Sequence, residues 1–209
     1  MPKKTTIKQP SKETLDLLLK HEVGGGQKYY EKYLSGFTWP GGASGPTIAI
    51  GVDCAYYTRE ELSNIFDFLP DNQIKLIQGS VGKTGLNGKE YTQILKKEKI
   101  YVSWDKAVEI FTNITWPKFS KLAESVYPNL SGLCDNAYGA IVSLIFNRGA
   151  SLKGERRLEM RNIRSLIAKK DYSNIAKEIR KMKRIWVGKN LDGLIRRRED
   201  EAVLIETCV

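Results

Sequence analysis

Apolar residues from Ser11 onward recur at helical spacing through Leu15, Leu18, Leu19 and Val23, which predicts a helix with Ser11 as N-cap and Glu13 in its first turn. The run Gly24-Gly25-Gly26 ends that helix and leaves Glu22 at its C-terminal end. The pattern then breaks. Tyr29, Tyr30, Tyr33, Phe37 and Trp39 are interrupted by Pro40-Gly41-Gly42 and Gly45-Pro46, a composition that predicts a loop or a short hairpin. From Thr47 to Asp53 the chain alternates with period two. A strand is expected there, with Ile48, Ile50 and Val52 toward a core and Thr47, Ala49, Gly51 and Asp53 on the opposite face.

Helical signals dominate the remainder. Thr58 and Glu61 form a capping box that starts a helix running to about Phe68, and residues 70–102 predict short helices joined by loops. Ser103 caps a helix beginning at Trp104, with Ala107, Val108 and Phe111 on its buried stripe, and Pro117 should break or kink it. Asp135 to Phe146 is apolar nearly all round, as a central helix buried on every side must be. Further helices are expected over about 156–169, 172–184 and 192–206. No internal repeat is present, and residues 1–10 suggest a flexible arm. A chain of 209 residues fits one domain of two lobes, 11–206, with a small lobe over about 11–68 and a helical lobe over about 103–206.

Composition narrows the class further. Hydrophobic residues at 41% and charged residues at 28% describe a soluble globular protein, and the longest apolar stretch, Ala140 to Phe146, is too short to span a bilayer. The lysine-bearing N-terminus lacks the apolar segment of a signal peptide, so synthesis in the cytoplasm without export by that route is expected. A formal charge of +10 favours a polyanionic partner: nucleic acid, anionic lipid or a bacterial envelope polymer; a merely solvating surface is the plain alternative. Cys54, Cys134 and Cys208 show no CxxC spacing, and with a single histidine they make no standard zinc site. Free thiols, no metal and no cofactor are expected.

Two blocks carry a family resemblance. Glu22 followed by Thr47-Ile-Ala-Ile-Gly-Val-Asp53 resembles the catalytic lobe of phage-type lysozymes, in which a helix-end Glu precedes a T-I-G-I-G strand. Ser143-Leu-Ile-Phe-Asn147-Arg-Gly149, then Arg157, Met160, Trp186 and Gly193-Leu194-Ile-Arg196-Arg197-Arg198-Glu199, is similar to the helical lobe of the same group. The resemblance implies a lysozyme-like α+β fold, mostly helical, with a cleft between a small β-containing lobe and a larger helical one. It also implies hydrolysis of the β-1,4 bond between N-acetylmuramic acid and N-acetylglucosamine in peptidoglycan. The common pattern places an Asp six residues before the Thr; Gly41 stands there instead. The chain is closer to the pesticin-like branch, where an Asp six residues after the Thr completes the set, and Asp53 occupies that place.

On this resemblance Glu22, Thr47 and Asp53 are the catalytic candidates. A carboxyl at the negative end of a helix holds its proton more readily, which suits Glu22 to protonating the leaving oxygen. Thr47 is too weak a base to activate water but can orient it, and an interposed water implies inversion. Six residues of straight strand span about 20 Å, so either the chain turns back at Gly51 or Asp53 acts as a support for Glu22 or its helix end. Asn147 either lines the floor of the cleft as a glycan contact or simply precedes a helix stop at Gly149. Tyr30 and Trp39 are candidates to stack on sugars or to pack the small lobe. Arg196, Arg197 and Arg198 resemble a structural anchor and basic face.

The expected partner is the glycan strand of peptidoglycan, met in the periplasm or envelope by a monomer that neither inserts in a membrane nor binds nucleic acid. A phage endolysin or an antibacterial effector fits that description. Two other functions share the fold: a lytic transglycosylase, which needs one glutamate and no hydrolytic water, and an inactive basic module that binds walls or nucleic acid.

Overall fold

A computed structural model describes residues 7–208. Helix α1, Lys12–Val23, begins where the Ser11 hydroxyl accepts the Thr14 N–H at 3.1 Å. It stops at Gly24, whose φ of +68° is open to glycine at little cost. Residues 1–6 of the expected arm lie outside the described residues. Lys8, farther along it, is held in place: its ammonium donates to the Leu133 carbonyl at 2.8 Å and pairs with Asp135 at 2.9 Å, while its own carbonyl accepts from the Trp116 indole.

Two compact units make up the chain, and their boundary falls inside α1. The described residues up to His21 group with Trp116 onward, and Glu22–Thr115 form the other unit. The smaller unit therefore runs past the expected end at 68, while most of α1 groups with the carboxy-terminal helices.

Within Glu22–Thr115, the stretch expected as loop or hairpin is helical over α2, Gly26–Tyr33. Tyr30 forms the buried side of α2, its ring edge-on to Trp104 at 5.5 Å and its hydroxyl donating to the Val102 carbonyl at 2.9 Å. The single strand expected over 47–53 is instead a tight hairpin: β1, Thr47–Ile48, pairs antiparallel with β2, Val52–Asp53. Its register sets Thr47 opposite Asp53 and Ile48 opposite Val52. Ala49 (φ +55°) and Gly51 (φ +77°) take left-handed conformations that reverse the chain in three residues. Ile48, Ile50 and Val52 are buried as predicted.

Four helices complete this unit: α3, Arg59–Ile65, α4, Asp71–Gln78, α5, Gly85–Lys97, and α6, Trp104–Ile110. Both arms of the capping box at Thr58 and Glu61 are made, and the Ser103 hydroxyl accepts from the Lys106 N–H. A π-helical turn over Phe111–Thr115 follows α6.

In the other unit, α7, Trp116–Val126, follows the π-helical turn directly in sequence, and Pro117, expected to break or kink the helix, stands two residues after that turn. Helix α8, Asp135–Arg148, is buried continuously from Ala137 to Ile145, the central helix that the sequence predicts. Thr14 of α1 packs against Gly139 so closely that a Cβ there would overlap its side chain. Helix α11, Asp192–Glu206, packs on α8, and α10, Tyr172–Lys181, packs in turn on α11 and on α9, Leu158–Lys169.

The expectation of free thiols is corrected. Cys134, the N-cap of α8, is joined by a disulfide to Cys208 just beyond α11, with the Cα atoms 6.2 Å apart and a sequence separation of 74. Only the fold brings such distant positions together. Cys54 is a free, buried cysteine, and burial pushes its thiol pKa well up, so it stays protonated and inert.

Candidate active site

The hairpin β1–β2 holds its loop neighbours through a set of directional bonds. Thr38 bridges to Thr47, each backbone N–H donating to the other's carbonyl at 2.7 and 2.8 Å. The Thr47 hydroxyl donates to the Gly45 carbonyl at 3.2 Å. Across the hairpin, the Asp53 carboxylate accepts the Gly45 N–H at 3.1 and 3.0 Å and, as N-cap of the following 3₁₀ turn, the Ala55 N–H at 3.2 Å. Thr47 and Asp53 thus grip the two peptide units of Gly45 from either side.

Gly45 has no substitute at that point. A Cβ on it would lie 2.7 Å from the Lys83 carbonyl and 2.9 Å from the Asp53 carboxylate, and its own Cα sits 2.9 Å from where a Cβ of Gly88 would stand. The loop is tied further by the Trp39 indole donating to the Ser44 carbonyl at 2.9 Å and by Tyr56 donating to the Ala43 carbonyl at 2.9 Å. Gly41, at the position where an Asp is common in the resembling family, has φ of +103°, a conformation that an L-residue adopts only under strain.

Each candidate residue has a definite place. Glu22 is half-buried in the last turn of α1. The preceding residue, His21, bonds Asp200 of α11 at 2.8 Å, and Lys20 pairs with the same carboxylate at 2.8 Å. Burial lowers the His21 pKa and a repelling Arg197 adds to this, while the bond to Asp200 opposes them. Asp200 loses solvation by partial burial, yet the hydrogen bonds from Lys20 and His21 outweigh that and hold it below the usual carboxylate range.

Glu22, Thr47, Asp53 and Trp39 belong to the smaller unit, and Asn147 belongs to the other. Tyr30 does not fit a sugar-stacking role: it is fully buried, so no ring face remains for a ligand. Trp39 is partly exposed, with the Lys89 ammonium 5.5 Å from its ring centroid. Asn147 is exposed in the last turn of α8, which Gly149 terminates with φ of +72°. Sequence reasoning overlooked Thr38, Gly45 and His21; of these only Gly45, in a Gly-Pro step before the strand, left a trace in the pattern. Among the described residues no group of three or more His, Cys, Asp and Glu side chains converges on a metal position.

Arg197 and Arg198, expected as an anchor, are buried in α11. Glu201 accepts from Arg198 at 2.8 Å, from Arg197 at 3.3 Å and from the Ser143 hydroxyl of α8 at 2.7 Å. These bonds fasten α11 to the central helix, whereas Arg196 is exposed.

Mostly helical, with one small antiparallel sheet among the described residues, the chain has the α+β architecture of lysozyme-like proteins, a class that degrades peptidoglycan. Residues 79–201 match the family described as Phage lysozyme, more than half of the chain. The chain belongs to that family and is a peptidoglycan-lytic enzyme acting on the cell wall. The match includes Asn147 and the buried cluster of α11, and it begins after Glu22, Thr47 and Asp53. No curated protein matches the chain in sequence. No described helix is long and apolar enough to cross a membrane.

Proposed function

We propose that the protein is a muramidase that hydrolyses the β-1,4 bond between N-acetylmuramic acid and N-acetylglucosamine with inversion at the anomeric carbon. Glu22 gives its proton to the leaving oxygen. A water held by Thr47 attacks the anomeric carbon from the opposite face; its oxygen forms the new C–O bond as the glycosidic bond breaks, and its spare proton passes to solvent. Asp53 is a positioning residue, and Trp39 and Asn147 contact the glycan.

One observation carries the assignment to Thr47. Its hydroxyl hydrogen is directed at the Gly45 carbonyl, so the oxygen lone pairs are the part left to meet a water, and an acceptor is what orients a nucleophilic water by its hydrogen. Asp53 supports this from behind. Both its oxygens engage the Gly45 N–H, so the carboxylate fixes the carbonyl-bearing loop that in turn fixes the hydroxyl. The hairpin register, with Thr47 opposite Asp53, supplies the proximity that a straight strand denies.

Mass spectrometry of muropeptides released from purified walls tests the reaction. Hydrolysis leaves reducing N-acetylmuramic acid ends that carry the added water. Products ending in 1,6-anhydromuramic acid would identify a lytic transglycosylase and remove the role given to Thr47.

A further inference from the structure

The end of α8 and the loop that follows it enclose a pocket of ≈ 560 Å³ within the carboxy-terminal unit. Its wall includes Asn147, Arg148, Lys153, Arg156, Arg157 and Trp186, against one carboxylate, Glu155. The loop is held rigidly. Arg161 donates to the Leu152 and Gly154 carbonyls, both at 2.8 Å, and Arg184 donates to the Glu155 carbonyl at 3.0 Å. Arg148 donates to the Arg156 carbonyl, and Arg157 donates back to the Arg148 carbonyl.

Three features make this more than a solvated basic face. The Arg148 guanidinium lies 5.0 Å from the Trp186 ring centroid, and its Nη1 is buried with no partner among the described residues. The side chains of Lys153 and Arg156 make no hydrogen bond or ion pair among the described residues either, and both are exposed at the pocket. Finally, burial presses the Arg148 pKa down to about 10, and the nearby Arg157, Arg198 and Arg156 add to this against an opposing Glu159. A guanidinium in that state is stabilised by an incoming anion.

We propose that this pocket is an oxyanion site that binds the phosphodiester groups of an anionic wall polymer. Arg148, Arg156 and Lys153 offer donors from separate chain positions, which suits the several oxygens of a tetrahedral phosphate better than the two coplanar oxygens of a carboxylate. Identification of the polymer rests on the wall-degrading role of the protein; the anion site itself does not depend on the Glu22 chemistry.

Two measurements on the full chain test it. In the first, inorganic phosphate is titrated at low ionic strength while amide and indole NMR signals are followed. Saturable shifts are expected at Asn147, Arg148 and the Trp186 indole, and the double variant Lys153→Ala/Arg156→Ala, altered at two exposed positions, should bind about tenfold more weakly. In the second, the Glu22→Gln protein is sedimented with purified walls before and after chemical removal of their phosphodiester polymers. Retention should fall on stripped walls, and the double variant should lose the same part of it. Absence of saturable shifts, or equal phosphate binding by the double variant, overturns the site. Equal retention on stripped walls overturns the phosphate assignment and points to peptide carboxylates. Lytic activity of the unsubstituted protein is scored separately, so failure of the muramidase assignment and failure of this pocket give different results.

Discussion

At Thr47 the direction of one hydrogen bond decides what the side chain can do. Its proton belongs to the Gly45 carbonyl, so replacement by Ser, which retains the hydroxyl, should preserve much of the activity. Thr47→Ala should lower kcat by about 10²-fold or more, the usual cost of removing a group that positions the reacting partner. Asp53→Asn separates support from chemistry. The amide keeps one oxygen for the Gly45 N–H but loses charge-assisted bonding, so stability should fall by about 1–2 kcal/mol with partial retention of kcat and an unchanged shape of the pH–rate profile. Loss of one limb of that profile would instead make Asp53 the base.

The element that carries Glu22 is anchored by the residue before it. His21 has a folded-state pKa below its ordinary value of 6.5, so the unfolded chain binds more protons than the folded one as pH falls through that range. Stability is therefore fully present above about 6.5 and declines on acidification toward the lower folded pKa. Thermal melts between pH 7.5 and 5.5, on the order of one unit either side of that value, should show a decline that His21→Gln removes. At the other contact between helices, Glu201→Gln leaves the buried Arg198 without its counter-charge. That should cost about 3–5 kcal/mol in urea unfolding, whereas an exposed pair such as Lys106–Glu109 contributes about 1 kcal/mol or less.

These elements differ in how plainly the sequence announces them. The caps at Ser11, Thr58 and Ser103 and the unbroken apolar run of α8 are local signals, and the helices they mark form as predicted. Helix α2 is hidden because a glycine run precedes it and only Tyr30 is buried, which leaves no apolar stripe to recognise. The hairpin is hidden for another reason. A three-residue turn keeps Ile48 and Val52 in the same phase on both arms, so alternation continues as if the strand were straight, and Ala49 gives no warning of its positive φ. The anchoring role of Arg197 and Arg198 is legible from the motif. The burial of Tyr30 and the Cys134–Cys208 pairing depend on residues remote in the chain.

For the whole molecule, a net charge of +10 and membership of a peptidoglycan-lytic family are physically consistent, since the bacterial envelope is polyanionic and attracts a cationic enzyme. Charge alone also suits an inactive binding module, and binding to walls therefore does not discriminate between them. Turnover does. The most direct measurement is the loss of turbidity of purified cell walls with the original protein and with Glu22→Gln, the two compared by circular dichroism and thermal melting. The muramidase account predicts that Glu22→Gln remains folded and abolishes the turbidity loss. A folded Glu22→Gln protein that clears walls at the original rate would contradict it.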